Sequence, residues 1–80
     1  MKRVRIRYFA AFRDAVGHSE EQVETGAESL DALFEERLGA HAGLHRESAA
    51  KVAVNDRLVS WDADFADGDE VLFFPPVAGG

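Results

Sequence analysis

Lys51-Val52-Ala53-Val54-Asn55-Asp56-Arg57-Leu58-Val59-Ser60-Trp61 is the stretch on which the reading of the fold turns. Two short runs of strand-forming residues flank Asn55-Asp56, and Asn and Asp tolerate the positive φ angles that a tight two-residue hairpin needs. With those two residues at the tip, Ala53 opposes Leu58 and Val52 opposes Val59. Side chains alternate along a strand, so Val52, Val54 and Val59 share one face and Leu58 points from the other.

Working outward, Val4, Ile6 and Tyr8 alternate with Arg3, Arg5 and Arg7, the period-two pattern of a strand with one dry and one wet face. The alternation sends Phe9 to the wet side. Ala10 to Val16, with Phe12 and Val16 four apart and Gly17 as the stop, predicts a helix of one or two turns. His18 to Glu24 is polar around Val23 and predicts an edge strand. Ser29 can cap a helix that places Leu30, Leu33, Phe34 and Leu38 on one face, with Gly39 as its stop. Asp67-Gly68 predicts a turn. Val71 to Phe74 then forms a last strand, closed by Pro75 and Pro76 because proline cannot donate to a ladder.

A hairpin, one crossing helix and a last strand beside the first make an α+β domain of β-grasp, ubiquitin-like type. The expected sheet is mixed, of about five strands, with one main helix packed on one face. The domain spans residues 1–74 and an extended tail spans 75–80. If Val71 and Phe73 face the helix, Leu72 and Phe74 face away, joining Phe9 and Leu58. Four large apolar side chains then stand on the uncovered face.

The chain has 80 residues, 46% of them hydrophobic, which fits one domain. Its 15 acidic and 9 basic residues give a net charge of −6, which opposes docking on nucleic acid or an anionic membrane. Cysteine is absent, excluding disulfides, thiolate zinc sites, iron–sulfur clusters and thiol nucleophiles. The charged N-terminus is followed by no apolar run of signal-peptide type, so a cytoplasmic protein is expected. Lys2, Arg3, Arg5, Arg7 and Arg13 are unopposed through residue 13, which leaves the remainder more acidic still and predicts a basic partner surface for the tail-bearing end. No metal is expected. His41 and His45 lack a third ligand and read as a solvated loop within the loosely patterned stretch 40–50. Asp62, Asp64, Asp67, Asp69 and Glu70 have their glycine out of register for a calcium loop and read as a solvated turn.

The chain ends Phe74-Pro75-Pro76-Val77-Ala78-Gly79-Gly80. The prolines favour an extended segment, and two glycines put the terminal carboxylate on the narrowest arm available, without a Cβ to block a slot. A carboxylate is a poor electrophile, so acyl chemistry at Gly80 needs activation by a nucleotide-using partner. No phosphate-cradling glycine loop is present in the chain itself.

Tyr8-Phe9-Ala10, Arg13 with Ala15-Val16-Gly17, Val52-Ala53-Val54-Asn55, and Asp67-Gly68-Asp69-Glu70-Val71 running into the Phe-Pro-Pro-Val-x-Gly-Gly ending resemble the small sulfur-carrier subunit of molybdopterin synthase. The resemblance spans nearly the whole chain; it departs at 40–50 and at Asp56, where relatives often have glycine. It implies that Gly80 is adenylated by an ATP-using enzyme related to ubiquitin-activating enzymes. A persulfide donor then supplies sulfur, and Gly80 becomes a transient thiocarboxylate. The tail Pro75, Pro76, Val77, Ala78, Gly79 and Gly80 would enter the large subunit, in a heterotetramer of two small and two large subunits. There its sulfur would build the dithiolene of molybdopterin from cyclic pyranopterin monophosphate. The chain would be a non-catalytic donor with no permanently bound cofactor. Docking would fall on Phe9, Leu58 and Phe74, to which strand parity adds Leu72. Other readings are a sulfur carrier for thiamine or another pathway, a ubiquitin-like modifier joined to lysines through Gly80, and a plain β-grasp binding module. A plant-type ferredoxin is excluded by the missing cysteines.

Overall fold

The computed structural model describes residues 1–76. In chain order its elements are β1 (Lys2–Tyr8), α1 (Ala10–Val16), β2 (Glu20–Thr25), α2 (Leu30–Ala40), β3 (Lys51–Val54), β4 (Arg57–Val59) and β5 (Glu70–Phe74). The sheet order is β2-β1-β5-β3-β4. Only β1 and β5 pair in parallel; every other neighbouring pair is antiparallel. This is the mixed sheet of the ubiquitin-like β-grasp.

The hairpin forms as the sequence dictates. Asn55 and Asp56 have φ of 51° and 69°, both in the left-handed region that lets the turn follow the strand twist. Val52 pairs with Val59 and Ala53 with Leu58. The charged strand β2 lies at one edge of the sheet, beside β1.

Helix α2 begins at Ser29, whose Oγ accepts a hydrogen bond from the Ala32 amide at 3.1 Å. It buries Leu30, Leu33 and Phe34 against the sheet. The helix does not stop at Gly39. It continues to Ala40, with the His41 amide donating to the Arg37 carbonyl. One glycine costs a helix about 1 kcal/mol, less than the packed apolar face returns.

The core joins Val4, Ile6, Tyr8, Val52, Val71 and Phe73 from the sheet to the apolar side of α2. Phe34 meets Phe73 edge-on at 4.9 Å, and Trp61 closes the rim, stacked on Phe73 and donating from Nε1 to the Ala50 carbonyl. The stretch 40–50 is not loosely attached. Leu44 and Ala50 are buried. Arg46 lies over Phe34 and Trp61 while bonding Asp31 and Glu35, so the irregular segment is bound to the outside of α2.

Candidate functional site

The face of the sheet away from α2 is set by strand register. Arg7, Leu72, Ala53 and Leu58 lie side by side across β1, β5, β3 and β4. In the next row Phe74 pairs with Lys51. Phe9 joins that row because it is still extended, with φ of −120°, and continues the parallel register in which Tyr8 pairs with Phe73; the chain turns only at Ala10, with φ of 50°. The Phe9 ring lies against Phe74, stacked at 4.6 Å and 15°. Phe9 also forms the N-cap of α1, its carbonyl accepting from the Phe12 amide, and the helix ends at Gly17 with a φ of 96°.

The expected docking residues are therefore neighbours, with unequal exposure. Leu58, on an edge strand beside the small Ala53, is 68% exposed. Phe9 and Phe74 are half-buried, largely against one another. Leu72 is only 5% exposed although it belongs to the open face. It sits mid-strand in β5, flanked by Arg7 and Ala53, and so lies beneath the patch.

Pro75 and Pro76 leave the end of β5 on this side. With Ala49, Lys51, Leu58 and Phe74 they line an open groove of about 590 Å³. Residues 77–80, including Val77, Ala78, Gly79 and the reactive end assigned to Gly80, lie outside the described residues.

A second polar centre lies on the helix side. Ile6 pairs with Glu21, so Glu21 turns toward the C-terminal end of α2. The Tyr8 hydroxyl donates to Glu21 at 2.5 Å, His41 Nε2 lies 2.9 Å from the same carboxylate, and Arg37 reaches it at 3.5 Å. Burial alone would raise the Glu21 carboxyl. The hydrogen bonds from Tyr8 and His41 and the nearby positive charge outweigh burial and hold it below its ordinary value. Burial first, then Glu21, push the Tyr8 hydroxyl far up, so it stays protonated.

His41 is thus not the solvated loop residue its spacing to His45 suggested. It packs edge-on to Tyr8, whereas His45 is exposed. The β1–β2 register that turns Glu21 toward it carries no local sequence signal. Among the described residues no three His, Cys, Asp or Glu side chains gather as a metal site. The acidic run serves local geometry. Asp64 pairs with Lys2, Asp67 accepts from the Arg3 amide, Asp69 binds Asn55, and Glu70 pairs with Arg5. No helix of the described residues is long and apolar enough to cross a membrane.

The family profile described as ThiS family matches residues 6–80. The molybdopterin synthase sulfur carrier subunit of Escherichia coli (strain K12) is 35% identical over 80 residues, covering 96% of this chain and 99% of its own length. The structure of the putative molybdopterin converting factor subunit 1 of Pyrococcus furiosus superposes with a TM-score of 0.82 at 36% identity, over 96% of this chain and 100% of that one. A chain of the complex between subunits 1 and 2 of the molybdopterin-converting factor of Helicobacter pylori gives a TM-score of 0.65 at 26% identity, over 98% of this chain and 99% of that one.

Proposed function

The chain belongs to the ThiS family, and on that premise we propose that it is the sulfur carrier subunit of a molybdopterin synthase, donating sulfur from a thiocarboxylate on Gly80. The observation that carries this reading is the stacked Phe9–Phe74 patch at the root of a Pro-Pro-led tail. The tail departs from the end of strand β5, which lies mid-sheet, so the domain gives it a firm base while the arm beyond is thin enough to enter a slot.

Each group has a separate task. Phe9, Phe74, Leu58 and the two prolines offer an apolar seat for a large subunit. Gly79 and Gly80 bring the terminal carboxylate to the activating enzyme, where ATP makes it an acyl-adenylate. The outer sulfur of a persulfide donor then displaces AMP, and a thiol reductant cleaves the resulting acyl disulfide to leave the thiocarboxylate. Proton transfers and substrate binding in dithiolene formation belong to the large subunit, since this chain contributes sulfur and a docking surface.

The test is the mass of the C-terminal peptide after incubation with ATP, the activating enzyme and a sulfur donor. Replacement of one oxygen by sulfur at Gly80 is expected, and deletion of Gly80 removes it while leaving the circular dichroism spectrum intact. An unchanged mass with demonstrably active partners overturns the carrier reading. A thiocarboxylated protein that yields no dithiolene with an active large subunit overturns the pathway and favours another acceptor, such as that of thiamine synthesis.

A further inference from the structure

The open face carries two cations that the fold does not use. Arg3 and Arg5 stand on this face and are paired, with Glu24 at 2.9 Å and Glu70 at 3.0 Å. Arg7 is not. Glu20 lies opposite it in register, yet the two form no ion pair, and the guanidinium lies over the Phe9 ring at 5.3 Å. Lys51 is exposed at the groove beside Phe74, and among the described residues it makes no ion pair or side-chain hydrogen bond. Arg7 on β1 and Lys51 on β3 therefore flank the apolar patch from opposite sides of β5. Much of the acid excess is elsewhere: Asp31 and Glu35 on α2 are bound to Arg46, and Asp64 and Asp67 lie in the loop before β5.

Resting on the reading above, we propose that the partner surface seated on this face has an apolar centre rimmed by carboxylates that meet Arg7 and Lys51. This reverses the basic surface predicted from the charge balance of the whole chain. Screening decides between the two. At physiological ionic strength the Debye length is about 8 Å, so in the docked complex the charges within one side chain's reach of the patch outweigh the net −6 spread over the domain. The terminal carboxylate of Gly80 still calls for cations, but at the far end of the tail. The partner's field is thus divided, acidic around the seat of the domain and basic where the tip arrives. An unpaired cation at an interface rim chiefly governs encounter and orientation.

The experiment is stopped-flow association of the full chain with the large subunit at low and high salt, comparing wild type with Arg7→Glu/Lys51→Glu and with Arg7→Gln/Lys51→Gln. Both side chains are exposed, and circular dichroism checks that the variants keep the fold. At low salt the charge reversal is expected to slow association by about tenfold or more, the neutral pair is expected to fall between, and dissociation is expected to change less. Salt should slow wild type and speed the reversed variant. Wild-type binding with reversed-variant association that is unchanged or faster overturns the acidic rim alone. Failure of wild type to bind an active large subunit overturns both this inference and the synthase reading.

Discussion

The two faces of the sheet are built from the same strands and the same alternation, yet only one of them is covered by a helix. Ile6, Val71 and Phe73 on the covered face have no exposed surface, being closed over by Leu33 and Phe34 of α2. One residue further along each strand, the open face holds Arg7, Leu72 and Phe74, with Phe9 and Leu58 alongside. Both faces are rich in large apolar groups. The covered set meets its partners within the chain, whereas Leu58 and the outer edges of the Phe9–Phe74 stack do not. On the reading proposed above, stability and recognition are therefore separable by one-residue steps along a strand.

The largest expected effect breaks that comparison directly. Phe34→Ala removes the ring that touches Phe12, Trp61 and Phe73 and should cost about 3–5 kcal/mol. That is a large share of the roughly 5–15 kcal/mol typical of a folded domain. Phe74→Asp, on the other face, loses one stacking contact worth about 1 kcal/mol while weakening binding to the large subunit by tenfold or more. Chemical denaturation and calorimetric binding measure the two quantities. Equal losses of stability from both variants, or unchanged affinity in the second, would dissolve the distinction between the faces.

The division was legible in the sequence where a local pattern sets it. Asn55-Asp56 determines the hairpin register, and with the register comes the outward placement of Leu58. The alternation in β1 did the same for Arg7 and Phe9. Features that depend on distant pairing were not legible. Glu21 turns inward only because it lies opposite Ile6, and His41 gains a partner only once β2 and α2 converge. Leu44, Ala50 and Phe65 fill the core from irregular segments with no periodicity to announce them. Leu72 has the parity of the open face but the burial of a central strand, and parity cannot count neighbours. The tail chemistry proposed above is the converse case: the reading rests on the Pro-Pro and Gly-Gly motifs, and the four terminal residues lie outside the described structure.

Acid sharpens the comparison, because the covered side holds a half-buried carboxylate, Glu21, among the donors Tyr8, Arg37 and His41. Glu21 has a lowered folded-state value. Its contribution is therefore full above the unfolded value near 4.5 and is lost as pH falls through the folded one. Below that point a neutral Glu21 no longer offsets the charge of Arg37, 3.5 Å away. The denaturation midpoint of wild type should fall between about pH 5 and 3, and Glu21→Gln should flatten part of that fall. A residual slope should remain from Asp64, whose carboxyl is held down by the hydrogen bond from Lys2 and then by the Phe65 amide. Identical pH profiles for wild type and Glu21→Gln would remove the Tyr8–Glu21–His41 cluster from any role in acid stability.

The smallest expected effect lies in the helix that makes one face dry. Gly39 sits inside α2 with no positive φ, and a Cβ built there meets nothing within 4 Å. Gly39→Ala should therefore stabilise the domain by about 0.5–1 kcal/mol, because alanine restricts the unfolded chain and adds no clash. Gly17→Ala should do the opposite. It too has open space around it, but its φ of 96° is strained for any residue with a Cβ. The two substitutions add the same methyl group into the same emptiness, so a difference in denaturation midpoint between them isolates backbone conformation from packing. If Gly39→Ala destabilised as much as Gly17→Ala, the helix would end at Gly39 in solution, as the sequence alone predicted. His41 would then lose the C-cap position from which it reaches Glu21, and the acid dependence of the covered face should shrink with it.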